Sequence, residues 1–303
     1  MARRKKGKPV HGWVVLDKPQ DMTSTQAVGA VKRILEAQKA GHAGTLDPLA
    51  TGVLPIALGE ATKTVPFAVD GDKAYRFTVR FGAETDTDDA EGTVVRTSEA
   101  APLLDDIEAL LPNFTGEISQ VPPRYSAIKV DGNRAYDLAR DGEVVELEPR
   151  IVVIDDLRLV DMPDAKTAVF EAECGKGTYV RAIARDLGRE LGCFGHVIAL
   201  RRTRVGGFLE ADAISLQELE AGVQSGDLKG CLLPVEAALD DVPGLGVGPN
   251  DAAALARGQA VLVRGRDAPV LTGAAWAHFK GQILALGELE KGAFRPTRVF
   301  NFG

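Results

Sequence analysis

Nine residues, Lys73 to Phe81, alternate without a break: Tyr75, Phe77, Val79 and Phe81 fall on one side, Ala74, Arg76, Thr78 and Arg80 on the other. Period two with this contrast specifies a strand with one buried and one wet face, so this part of the chain must join a sheet. Ala168 to Cys174 alternates in the same way, and Val10–Leu16, Ile151–Ile154 and the basic run Leu200–Phe208 supply further strand candidates. Helical spacing appears in Val28, Val31, Ile34 and Leu35, after Thr23 and its capping-box partner Gln26. A second helix carries Val180, Ile183, Ala184, Leu187 and Leu191 on one face, opening after Gly175-Lys176-Gly177 and ending at Gly192. The pattern predicts an α/β (α+β) chain built on a mixed sheet. An acidic, helix-like connector spans 214–241. At Val242-Pro243-Gly244 the texture changes to short Gly-rich strands with one helix over 250–256. The expected organisation is a basic flexible arm over 1–9, a main domain over 10–243 and a small β-rich domain over 244–303.

The 303 residues hold 36 Lys and Arg against 43 Asp and Glu, a net charge of −7 that taken alone argues against a polyanionic partner. The total hides an asymmetry. Between Glu84 and Glu108 there are nine acids and one base, Arg96, so the rest of the chain is close to neutral. The arm holds five bases and no acid, and Cys174–Phe208 holds seven bases against Asp186 and Glu190. Arg181, Arg185 and Arg189 lie at i, i+4 and i+8 and form one basic stripe on their helix. A solvated face is the commoner reading of any such cluster, and nucleic acid remains open. Cys174, Cys193 and Cys231 are odd in number and widely spaced, which suggests reduced thiols in a cytoplasmic protein. No apolar run approaches the ~18 residues of a membrane span, and the basic start reaches Pro9 without the apolar core of a secretory signal.

Most familiar catalytic arrangements are missing. His11, His42, His196 and His278 are too scattered for a metal site, and no C-x-x-C, G-x-S-x-G or phosphate-loop pattern occurs. The acids of 84–92 lack the glycine and the final glutamate of a calcium loop. What stands out is Gly41-His42-Ala43-Gly44-Thr45-Leu46-Asp47-Pro48-Leu49-Ala50-Thr51-Gly52. Asp47-Pro48 alone reads as a helix start, with Asp as N-cap and Pro at the first helical position. Within its glycines, it also reads as a carboxylate on a turn that a bulky ligand can approach closely.

That string, continued to Lys63, resembles the catalytic motif of the bacterial TruB-type tRNA pseudouridine synthases. The resemblance covers nearly the whole chain, in order: Gly12–Pro19 with Thr23-Ser24, Lys73-Ala74-Tyr75, Asp86–Gly92, Pro122–Ala127, Gly177–Arg181 and Leu200–Thr203. Asp21 departs from it, standing where the family often has glycine.

The resemblance implies a mixed-sheet pseudouridine synthase core, a small PUA-like RNA-binding domain over 244–303, and isomerisation of uridine-55 in the tRNA T-loop. By the same route Asp47 is the essential carboxylate, Arg181 the arginine that pairs with it, and Tyr75 the aromatic stacked on the target base. Tyr179 and Leu200 would line the base pocket, and His42 would press against the T-loop. Lys18, Lys63, Arg201 and Arg202 would meet RNA. Read as isolated residues, Tyr75, Tyr179 and Leu200 fit core positions and Arg181 a phosphate contact. A carboxylate is ionised at neutral pH without a partner base, which suits a nucleophile. The isomerisation is redox-neutral and has no group donor, so no cofactor and no metal is expected. The expected partner is the T-stem-loop of tRNA, bound by a monomer away from any membrane. Two other readings remain: a guide-RNA-dependent subunit, and a non-catalytic tRNA-folding chaperone.

Overall fold

A computed structural model describes residues 7–126, 147–263 and 272–303, with the backbone alone at 129–130 and 133–134. The alternating segment is strand β4 (Lys73–Phe81), and it lies in the middle of the main sheet. The other strands are β1 (Gly12–Lys18), β2 (Ala40–His42), β3 (Thr51–Leu58), β7 (Gly116–Gln120), β8 (Arg150–Asp164), β9 (Thr167–Cys174), β10 (Gly195–Val205) and β11 (Phe208–Leu209). The path runs β1-β3-β10-β4-β9-β8-β7, with β2 on β3 and β11 on β10. A separate hairpin, β5 (Ala83–Thr85) and β6 (Val94–Thr97), frames the acidic string between them.

Every pairing along this path is antiparallel except β3–β10, where Thr51 and Gly52 run parallel to Arg201 and Arg202. That one parallel contact sets Leu200–Arg202 beside the loop that leads into β3. On the buried face Phe77 stacks on its cross-strand partner Phe170, with ring centroids 5.4 Å apart. Such a pair adds about 0.5–1.5 kcal/mol to the burial of each ring. Over this face pack helix α1 (Ser24–Ile34), through Ala27 and Val31, and helix α4 (Val180–Glu190), through Val180, Ile183, Ala184 and Leu187. Between them in sequence lie two short helices, α2 (Val65–Asp70) and α3 (Leu104–Leu110). Thr23 and Gln26 form the capping box expected of them.

The small unit is β-rich, as expected. Its sheet runs β12 (Gly244–Gly246), β14 (Gly273–Phe279), β15 (Gln282–Glu290), β16 (Ala293–Val299) and β13 (Val261–Leu262), with one helix, α6 (Pro249–Ala256). Ile283, Leu286 and Phe300 pack into an apolar cluster with Trp13, Val53 and Phe208 of the main domain.

Three local expectations change. Asp47-Pro48 starts no helix; 45–50 is an irregular loop, because its main-chain groups bond to side chains from elsewhere. The connector holds one capped helix, α5 (Leu216–Ser225), while Ile214 and Leu233 pair with Val15 and Trp13 and cover the edge of β1. Of the arm, residues 1–6 lie outside the described residues, and Lys8 is tied to the turn after α1 by bonds to Glu36 and Gln38. The polar stretch around Gly132 and Gly142 and the end of Pro122–Ala127 also lie outside the described residues.

Asp21, the departure from the family pattern, has φ +62° and donates its N–H to the Pro48 carbonyl at 2.9 Å. Aspartate is among the few side chains that tolerate this left-handed turn, which accounts for the substitution. Gly52 has no such freedom: φ is +94°, and a Cβ would lie 2.2 Å from the Arg202 carbonyl oxygen. Gly52→Ala is expected to lose at least about 2 kcal/mol in denaturant unfolding, from strain and overpacking together. Gly41→Ala, with nothing within 4 Å of the added atom, should stay within about 0.5 kcal/mol of the parent.

Candidate active site

The loop between β2 and β3 carries Asp47, and its carbonyls are held from three directions. Ser24 accepts from the Leu46 N–H at 2.8 Å and donates to the Leu46 carbonyl at 3.0 Å. Lys18 donates to the Pro48 carbonyl at 3.3 Å. Arg202 donates to the carbonyls of Gly44 at 3.1 Å, Thr45 at 3.4 Å and Val53 at 2.8 Å. With its backbone so occupied, the loop turns the Asp47 carboxylate into a cleft of about 280 Å3, its side chain 38% exposed.

Asp47, Tyr75, Tyr179, Arg181, Leu200 and Arg202 all line that cleft, together with the glycine turn 175–178. Asp47 Oδ2 lies 3.0 Å from the Arg181 guanidinium. Arg181 is 5% exposed and also donates to the Thr87 carbonyl at 2.8 Å and the Tyr125 carbonyl at 3.0 Å, with Asp89 at 3.5 Å. Tyr75 bonds to the Arg202 side chain, and burial pushes its phenol above the usual range against the pull of that guanidinium. The cleft thus combines the apolar surface of Leu200 and the un-ionised Tyr75 ring with the charged Asp47, Arg181 and Arg202. Among the described residues no group of His, Cys, Asp and Glu could hold a metal ion, and no helix is long and apolar enough to cross a membrane.

Residues 32–180 match the model of the TruB family pseudouridylate synthase N-terminal domain, and 181–240 match the tRNA pseudouridylate synthase B C-terminal domain. A protein of Bradyrhizobium diazoefficiens named tRNA pseudouridine synthase B is 63% identical over 98% of this chain and 88% of its own. One of Chelativorans sp. with the same name is 54% identical over 99% of each. The chain belongs to the TruB family of pseudouridylate synthases. Its fold also matches a chain from the structure of an H/ACA RNP bound to a substrate RNA containing 2′-deoxyuridine. The TM-score is 0.75 and the identity 24%, over 99% of this chain and 92% of that one.

In this TruB-family chain the basic stripe is paired with acids along its length, buried at Arg181 and Arg185 and exposed at Arg189. Arg185 is buried, 3.1 Å from Asp88 and 2.7 Å from Asp186, and it donates to the Val121 carbonyl at 2.7 Å. Arg189 forks onto Glu84 at 2.7 and 2.8 Å. Three acids of the window, Glu84, Asp88 and Asp89, and the stripe, separate features in sequence, form one ion-pair network. The reading of the stripe as a solvated face is thereby corrected for Arg181 and Arg185, since buried guanidinium groups must be compensated locally. Hydrogen bonds from Arg189 hold the Glu84 carboxyl below its usual range. Burial pushes Asp88 up to about 6 despite Arg185.

The remaining expected RNA contacts fall in other places. Lys18 is fully enclosed, giving its ammonium to Pro19, Met22 and Pro48 carbonyls, and burial lowers it to about 8. Arg202 is 1% exposed, and it braces the loop from below instead of meeting solvent. Lys63 pairs with Glu60 and donates to the Val299 carbonyl at 2.7 Å, at the seam with the small unit. Arg201 forks onto Asp17 at 3.0 Å for both nitrogens and also bonds Glu210. His42 is half-buried on β2, its Nδ1 making no hydrogen bond among the described residues; burial and then Arg202 lower its pKa. Sequence reasoning missed Ser24 as a loop clamp and Asp88, Asp89 and Glu84 as partners of the stripe. The only available signal was the excess of acid over 84–91 beside an excess of base on the helix, which names no pairs.

Arg185→Ala would leave Asp88 buried beside no arginine of its own. It is expected to cost about 3–5 kcal/mol in denaturant unfolding, whereas Arg76→Ala, in an exposed pair with Glu171, should cost less than about 1 kcal/mol.

Proposed function

We propose that this chain isomerises uridine-55 in the T-loop of tRNA to pseudouridine, with Asp47 as the nucleophile. The observation that carries the reading is the Asp47 carboxylate, fixed 3.0 Å from a buried arginine in a cleft sized for one flipped nucleotide. Asp47 adds to the uridine, at the ribose C1′ or the base, and the N1–C1′ bond breaks. The uracil turns within the cleft, C5 bonds to C1′, the bond to Asp47 breaks and its carboxylate is regenerated, C5 gives up its proton and N1 gains one. Nothing is oxidised or reduced, so no cofactor enters the balance. Tyr75 stacks on the uracil, and Tyr179 and Leu200 wall the turning base. Base–aromatic stacking of about 1–3 kcal/mol offsets part of the few kcal/mol spent on unstacking the nucleotide.

His42 meets the T-loop, and Arg201, Lys63 and the exposed Arg295 and Arg298 of the small unit extend the contact to the phosphates. Lys18 and Arg202 act on RNA indirectly, by shaping the loop. Such an enzyme works as a monomer in the cytoplasm.

Purified chain and an unmodified tRNA transcript test this. Asp47→Asn should form no pseudouridine while its tRNA affinity stays within about threefold of the parent. An active Asp47→Asn variant would sink the nucleophile role. A parent chain that binds tRNA without modifying it would favour the chaperone reading, and one that acts only with an added guide RNA would favour the ribonucleoprotein reading.

A further inference from the structure

Helix α4 begins without a cap of its own. Its N-cap residue, Tyr179, uses no side chain to satisfy the first turn, although free N–H groups there need partners. The partner comes from another element. Gln120, the last residue of β7, is 2% exposed and meets the main chain of Tyr179 at both ends of its amide. Its Oε1 accepts from the Tyr179 N–H at 2.9 Å, and its Nε2 donates to the Tyr179 carbonyl at 3.2 Å. A glutamine is the side chain that fits an N–H and a C=O of one residue reciprocally, and burying it is affordable only with both bonds made.

Tyr179 lines the cleft, and Arg181, two residues on, holds Asp47. The segment just after Gln120 is bound to the same helix: Arg185 takes the Val121 carbonyl, and Arg181 takes the Tyr125 carbonyl. The end of β7 and the start of α4 are thus joined at three points. Of these three, the Gln120 joint alone uses no charge and acts directly on the backbone of a cleft residue.

We infer that Gln120 is a positioning residue for the isomerisation. It sets the depth and direction in which α4 enters the site, and so the placement of Tyr179 and of the Arg181 guanidinium against Asp47. It touches neither substrate nor the reacting atoms. The inference rests on the activity proposed above. Small errors in the placement of reacting groups cost large factors in rate, so loss of the joint should appear in the chemical step before it appears in binding.

The test uses full-length chain, unmodified tRNA, single-turnover pseudouridine formation, tRNA affinity and thermal unfolding in parallel. Gln120→Ala is expected to slow the single-turnover step roughly tenfold or more, with tRNA affinity within about threefold. Gln120→Glu keeps the acceptor but sets an oxygen against the Tyr179 carbonyl, and should also be slow while remaining folded if the alanine variant is not. A purely structural role would lower stability without coupling to the site. The decisive reading is therefore the pair with Arg181→Lys: adding Gln120→Ala to that variant should slow it by much less than it slows the parent. Full-rate turnover by both Gln120 variants, or a loss that multiplies in full with Arg181→Lys, overturns the inference while the parent remains active. A parent inactive on tRNA overturns the activity proposal and this inference with it.

Discussion

One guanidinium organises this molecule. Arg181 gives one edge to Asp47 in the cleft and the rest to a wall made of the Thr87 and Tyr125 carbonyls and Asp89. Removing such a charge from water costs several kcal/mol, so it persists only where carboxylates and carbonyls surround it. That requirement explains why the acidic string between β5 and β6 folds against α4. It also explains why the chain after β7 passes over the same helix. Arg185 and Arg189 repeat the arrangement one and two turns further on, with Asp88 and Glu84. The outcome is a carboxylate whose position is fixed by an ion pair that is itself fixed from behind.

The other half of the preorganisation acts on the main chain of the loop. Ser24 clamps both main-chain groups of the residue before Asp47, and Lys18 holds the carbonyl of the residue after it. Arg202 grips the loop two and three residues upstream and reaches Tyr75 as well. A loop with its carbonyls so engaged has little freedom to reorganise, which is what the role proposed for Asp47 requires. The parallel contact of β3 with β10 makes this possible, since it carries Arg202 under the loop and leaves no room for a side chain at Gly52.

The periodic features were legible. The alternation of β4, the capping box of α1 and the apolar face of α4 each follow from local pattern, and each is present. The cleft residues Asp47, Tyr75, Tyr179, Arg181 and Leu200 were reachable through family resemblance, and the fold brings them together. What failed was inference about charge. A stripe at i, i+4 and i+8 looks the same whether it faces water or a buried row of acids about 100 residues away, because pattern along one element carries no information about its partner. For the same reason Lys18 and Arg202 resembled surface cations although both are enclosed. Asp47-Pro48 has the composition of a helix start, but the bonds from Ser24, Lys18 and Arg202 are long-range and override it. Gln120 left no local trace.

The central claim is that the Arg181 fork, and not positive charge as such, makes Asp47 competent. Single-turnover pseudouridine formation by Arg181→Lys, with tRNA affinity measured on the same preparation, tests it most directly. Lysine keeps the charge but cannot bridge Asp47 and the wall at once. The account predicts a rate lower by about two orders of magnitude or more with affinity nearly unchanged. Turnover close to that of the parent would contradict it.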